Sequence, residues 1–343
     1  MPRNLTAAAI GLTLIGALVG AGFASGQEIQ QFFIRDNASW LSGIIVSVLL
    51  FLALMLFLTE ISWRNRIDSY QQLLIHLSGP SVGQLFQHLF ALFLWFGLII
   101  MLAGSSTLLQ VQLGMPRLLA AVATAVLVYL VGWQQVAGLA RANEVLVPTL
   151  LFLVLFFFLR SFIAPASPPP PAALPPGHSW LWSAVLYVAF NSALLLVIIP
   201  PLVAAARDRQ AAYQGVCLAA VGIGCLMTVI SSLLARYNTV ARGAEIPLLG
   251  VAAELLPEFP SLYAVLLWIA LATTAFANFD GMRQYLQQTL PAAYSGYLLA
   301  ALILATLASQ WSFAGLVGLL YPLMGYFCFI FYLISLVRQL IRL

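Results

Sequence analysis

The sequence contains no lysine; its 14 basic residues are all arginine, set against 10 acidic ones. Charged residues make up only 7% of the 343-residue chain. Hydrophobic residues make up 63%, and the mean hydropathy is +1.02. No soluble domain hides that much apolar surface. The formal net charge of +4 is small and scattered along the chain, which excludes a nucleic-acid partner. Cysteine is scarce too. Cys217, Cys225 and Cys328 each lie in an apolar segment with no CxxC pair and no metal spacing, so they read as inert packing. His76, His88 and His178 are isolated, which leaves them packing or interfacial roles. Ser-His-Asp, metal-ligand and phosphate-loop constellations are missing. Gly20-Ala21-Gly22 has no strand before it, so it is not a nucleotide loop. Nothing here points to an enzyme or an organic cofactor.

What is present is a succession of apolar runs of about 20 residues, the pattern of an all-α polytopic membrane protein. Ten spans fit, near residues 5–34, 39–63, 82–111, 117–133, 143–163, 179–206, 212–236, 259–286, 293–309 and 312–340. The N-terminus mimics a signal peptide, with Arg3, an apolar run, and Gly22-Phe23-Ala24 before Ser25. Its run is too long and too rich in glycine for an h-region, so the segment reads as a mature helix. The arginines set orientation. Arg3, Arg64, Arg66, Arg141, Arg207, Arg209, Arg283, Arg338 and Arg342 fall at one set of ends, and Arg35, Arg117, Arg160, Arg236 and Arg242 at the other. This bias predicts both termini in the cytoplasm of a bacterial-type inner membrane.

Pro165 to Pro176 is the only low-complexity stretch and predicts an extended outer tether. It divides the chain into residues 1–163, a linker 164–178, and residues 179–343, with five spans on each side. Both halves place a short helical pattern after their second span, near Ser69–Leu77 and Leu248–Leu256. An odd number of spans per half makes the two repeats inverted, as in alternating-access transporters.

The chain is organised around Gly16 to Phe33. Glycines at 11, 16, 20, 22 and 26 fall inside the first span, where each weakens a helix by roughly 1 kcal/mol relative to alanine. Ser25, Gln27, Glu28, Gln30 and Gln31 follow at once. Irregular backbone survives at membrane depth only where it lines a protein-enclosed or watery cavity. A breakable helix beside a carboxylate therefore predicts a binding site. The sixth span offers the second expected break, at Asn191-Ser192 with Pro200-Pro201 beyond it. In the eighth span Thr273 and Thr274 put two hydroxyls side by side. They either serve a hard cation or donate to a carbonyl one turn earlier.

The stretch V-G-A-G-F-A-S-G-Q-E-I-Q-Q-F-F resembles the opening helix of the YkvI-type family of bacterial membrane proteins, which itself resembles the LeuT-fold transporters of the APC superfamily. That resemblance implies a 5+5 inverted repeat with broken first and sixth helices. It implies a Na⁺ held by the carbonyls of Gly16, Val19 and Ala270 and the hydroxyls of Thr273 and Thr274. It implies a substrate beside Gly20, Ala21, Gly22 and Phe23, facing Phe190, Asn191 and Ser192, with Trp95 and Phe96 of the third span as covers. The chain departs from the pattern in two ways. Its sixth span has no glycine, and Gly26 stands where amino-acid symporters carry an outer-gate arginine.

Glu28 is the sharpest single residue, because an ionisable group inside a span is by default functional. It could contact a substrate amine, carry a proton, or cap the outer half-helix. Asp280 with Arg283, and Glu144 with Arg141, are three apart and predict local pairs. The expected function is a cation-coupled, Na⁺-dependent secondary transporter of a small organic solute, with amino-acid-like solutes implied by the resemblance alone. The alternatives are proton coupling through Glu28 and a non-transporting receptor of the same fold. The partners expected are the solute, the coupling cation and the lipid bilayer; oligomeric state is open.

Overall fold

The computed structural model describes residues 4–34, 39–133, 138–164, 179–257 and 260–342. The proline-rich linker and the Arg141–Glu144 side chains lie outside the described residues. The first span is in pieces: α1 (Ala7–Leu18), α2 (Ala21–Ala24), α3 (Gln27–Ile29) and a π-helical turn (Gln30–Ile34). There follow α4 (Trp40–Arg64), α5 (Tyr70–Ser78), α6 (Pro80–Leu113), α7 (Arg117–Trp133) and α8 (Gly138–Ser161). The second half runs α9 (Trp180–Ala205), α10 (Arg209–Arg236), α11 (Asn238–Ala241), α12 (Pro247–Leu255), α13 (Pro260–Thr289), α14 (Tyr294–Ala308) and α15 (Phe313–Arg342). The two short helices foreseen after the second and seventh spans are α5 and α12.

Six of these helices, α4, α6, α9, α10, α13 and α15, are long and apolar enough to cross a membrane. The first, fourth, fifth and ninth spans carry shorter apolar helices. Leu12, Ile45, Leu49, Leu118, Val221 and Ile303 are exposed on the outside of the bundle, where a bilayer supplies their solvent.

Small residues set the close contacts, as expected where lipid tails compete with every apolar side chain. α1 lies against α10, with the Gly11 position 3.1 Å from the Gly215 carbonyl oxygen if a Cβ were added. A Cβ at Gly222 would fall 2.4 Å from Ile15 Cδ1. α6 runs along α13, and a Cβ at Gly97 would fall 2.6 Å from Asn278 Nδ2. α9 packs on both α4 and α15. The chain entering α1 is tied to the end of α9: the Leu5 N–H donates to the Ala205 carbonyl (3.1 Å), and the Arg207 N–H to the Leu5 carbonyl (3.0 Å).

The break expected in the sixth span is absent. α9 is one continuous helix from Trp180 to Ala205. It has no glycine, and its polar side chains are satisfied without unwinding. Asn191 Nδ2 donates to the Tyr187 carbonyl (3.0 Å) and Ser192 Oγ to the Ala189 carbonyl (2.5 Å). Pro200 and Pro201 lie near its end, where the Leu196 and Val197 carbonyls lose their usual donors without ending the helix.

Candidate functional site

The first span breaks twice, and the sequence explains both breaks. α1 stops at Val19 (φ −88°, ψ 68°), and Gly20 is extended (φ −83°, ψ −171°). The last-turn carbonyls of a helix have no intrahelical donor, so Gly16, Ala17 and Leu18 present bare oxygens there. The second break is at Gly26, in the left-handed region at φ +76°. Ser25 Oγ bridges it, donating to the Gly22 carbonyl (2.6 Å) and accepting from the Gln27 N–H (3.1 Å). The α12 end closes over this turn, with the Leu248 N–H donating to the Ser25 carbonyl (3.1 Å). The Tyr263 hydroxyl of α13 donates to the Ala24 carbonyl.

A cavity of about 360 Å³ opens beside the breaks. Its walls come from α1, α2 and α3, from the middle turns of α6, α8, α9, α13 and α15, and from Ile230 of α10. Mid-helix residues of α6, α8, α9 and α13 put it at mid-membrane depth. The lining is mostly apolar and aromatic, including Phe23, Phe90, Phe93, Phe190, Met101 and Met324. Asn191, Thr274, Asn278 and Tyr321 add polar groups.

Glu28 is the one carboxylate on that wall, and neither arginine nor histidine joins it. It is 5% exposed. The Tyr321 hydroxyl hydrogen-bonds it, and Tyr187 stands close enough to feel its charge. Its Oε2 has no hydrogen-bond partner among the described residues. Gly22 is what makes room for it: a Cβ there would fall 2.1 Å from Oε1 and 2.9 Å from the Tyr321 hydroxyl. The Tyr321 ring stacks on Phe190 with centroids 4.2 Å apart.

Of the residues expected around a substrate, Gly20, Ala21, Gly22, Phe23, Glu28, Phe190 and Asn191 all line this cavity. Trp95, Phe96 and Ser192 do not. Trp95 turns toward α14, where its indole N–H donates to the Ala301 carbonyl (2.9 Å), and Phe96 packs beside it. Of the ion-site residues, Gly16, Val19, Ala270 and Thr274 line the cavity and Thr273 does not. Both threonine hydroxyls donate to the Ala270 carbonyl, Thr273 at 3.0 Å and Thr274 at 2.8 Å. Each keeps its oxygen lone pairs for another partner.

Tyr321, Asn278 and the Phe90–Phe93 pair are wall residues that sequence reasoning passed over. Asn278 had a readable signal, a polar amide four residues after Thr274. Tyr321 had a weaker one, its place before Pro322 inside an apolar span. The expected Asp280–Arg283 pair forms at 2.6 Å, away from the cavity. Glu60, in the last turns of α4, bonds Arg64, Arg209 and Tyr213.

No family model matches the chain. It is similar to the uncharacterized membrane protein YkvI of Bacillus subtilis (strain 168), 29% identical over 326 residues, 94% of this chain and 92% of that one. It is also similar to the uncharacterized protein YyaD of the same organism, 25% identical over 92% of this chain and 91% of that one. Among solved structures the fold matches Mhp1, a nucleobase-cation-symport-1 family transporter held in a closed conformation with bromovinylhydantoin bound. The TM-score is 0.64 at 14% identity, covering 94% of this chain and 75% of that one. A manganese transporter of Eremococcus coleocola matches with a TM-score of 0.54 at 15% identity, over 96% of this chain and 86% of that one. The YkvI-like, LeuT-type fold read from the sequence is borne out.

Proposed function

We propose that this YkvI-like membrane protein is a cation-coupled secondary transporter of a small organic solute, working by alternating access. One observation carries the reading: a mid-membrane cavity lies where the first span unwinds, and its wall includes Glu28, a buried carboxyl with one oxygen unpartnered among the described residues. A structural anchor has no use for either. The packing supports an inverted 5+5 repeat, since α1 lies on α10 and α9 on α4, the exchange of first and second spans that such a repeat requires.

Na⁺ is the coupling ion we favour. The carbonyls of Gly16 and Val19, at the end of α1, share the cavity wall with Ala270 and Thr274, and hard cations take such neutral oxygens. One observation favours proton coupling instead. The threonine protons are already satisfied by Ala270, while Glu28 Oε2 is not satisfied at all. Melting temperature of the detergent-purified protein, with NaCl exchanged for choline chloride, separates the two, because an ion bound to the native state stabilises it by mass action. A sodium-specific rise that disappears in Thr273→Ala/Thr274→Ala supports the oxygen site. A sodium rise unchanged in that variant removes the site assignment. Indifference to sodium, with a response to acid abolished in Glu28→Gln, turns the coupling to the proton.

A further inference from the structure

Resting on the transport reading, the geometry points to an apolar monoamine as the solute class, its ammonium paired with the Glu28 carboxyl and its hydrocarbon body among the phenylalanines. The charge balance of the cavity carries this. Among the described residues Glu28 is the only acid on the wall and no base accompanies it. An anion would meet like charge with no cation to receive it. A zwitterion could seat its amine, but among the described residues the wall holds no cationic side chain to pair with its carboxylate. An alkyl- or arylammonium ion meets neither obstacle.

Three further features favour a cation at that end. The C-terminal turn of α1, with its partial negative charge and bare carbonyls, ends at the cavity. Tyr321, which hydrogen-bonds Glu28, stacks on Phe190, and both rings line the cavity as aromatic neighbours for an ammonium. The Tyr321 hydroxyl holds one oxygen of the carboxyl, and the other has no hydrogen-bond partner among the described residues. The volume of about 360 Å³ lies at the small end of ligand pockets, so the solute is small.

The test uses the full chain in detergent at fixed NaCl. It reads melting temperature and calorimetric affinity for 2-phenylethylamine, 2-phenylethanol, 3-phenylpropionate and phenylalanine, which share one aromatic body and differ in charge. The amine should bind saturably, and at least tenfold more tightly than the other three. In Glu28→Gln that preference should fall by at least tenfold, while the ligand-free melting temperature reports whether the variant is folded. If Glu28→Gln does not fold, the amine-over-alcohol preference of the unmodified chain decides alone. Failure of the amine to bind, or equal binding of the alcohol, overturns the assignment. Binding of phenylalanine or 3-phenylpropionate in its place removes the amine and leaves the transport reading standing. The transport reading fails separately, if labelling of a cavity thiol in the ligand-free protein proves confined to one face of the membrane.

Discussion

Gly22→Ala should couple energetically to Glu28, and the geometry gives the size of the effect. The added Cβ would lie 2.1 Å from Glu28 Oε1 and 3.0 Å from its Cδ. Ordinary contact needs about 3.5 Å, so the carboxyl must retreat by about 1.4 Å. It is 5% exposed and has little room to do so. The Tyr321 hydroxyl is also in the way, at 2.9 Å from the new methyl. Overpacking of this kind costs about 1–3 kcal/mol, and a lost buried hydrogen bond about 1–3 kcal/mol. The two overlap because one displacement causes both. Alanine returns about 1 kcal/mol of helix propensity in α2. The net expectation is a loss of about 2 kcal/mol. Replacing Glu28 by alanine removes the nearer obstacle and leaves only the Tyr321 hydroxyl at 2.9 Å, so in that background Gly22→Ala should cost clearly less. A double-mutant cycle by denaturant unfolding in detergent, followed by intrinsic fluorescence, measures the difference. An equal cost in both backgrounds would refute the packing described here.

Further outcomes follow from the same geometry. Gly26→Ala meets a left-handed φ of +76° and a Leu248 Cγ at 2.7 Å, so it should cost at least about 1–2 kcal/mol and raise hydrogen exchange in α12. Trp95→Phe should lose about 1 kcal/mol with the Ala301 hydrogen bond, yet leave solute binding unchanged, because the ring faces α14; a changed affinity would restore Trp95 to the site. Asp208 caps α10, and the Ala211 N–H, with Arg207 beside it, holds its carboxyl below the usual carboxylate range. Its stabilisation is therefore present above the ordinary carboxylate pKa and lost as pH falls through the lowered one. Amide exchange at the start of α10 should quicken in acid, and in Asp208→Ala it should already be fast at neutral pH.

Much of this was legible in the chain because two physical signals are strong in a membrane. Hydrocarbon forces long apolar runs to be helical, so the spans and the short helices α5 and α12 could be placed. Glycines that cannot support a helix, next to a carboxylate that cannot be left in lipid, marked the first-span break and Glu28. The sixth-span break was misread because Asn191 and Ser192 look disruptive in sequence but bond their own helix. Trp95 and Phe96 were misplaced because an apolar helix surrounded by partners has no periodicity to say which face turns inward. Tyr321 and Asn278 join Glu28 only through packing of α15 and α13, and sequence spacing holds no record of that.

The central claim is that the Glu28 cavity is reached alternately from both faces of the membrane. Ala277→Cys, with Cys217, Cys225 and Cys328 replaced by serine, puts a thiol on the cavity wall. Its labelling by a membrane-impermeant methanethiosulfonate should be followed in right-side-out and inside-out vesicles. The account predicts modification from both sides, with sodium moving the two rates in opposite directions. Labelling confined to one face, unmoved by sodium or acid, would contradict it and leave a one-sided receptor pocket.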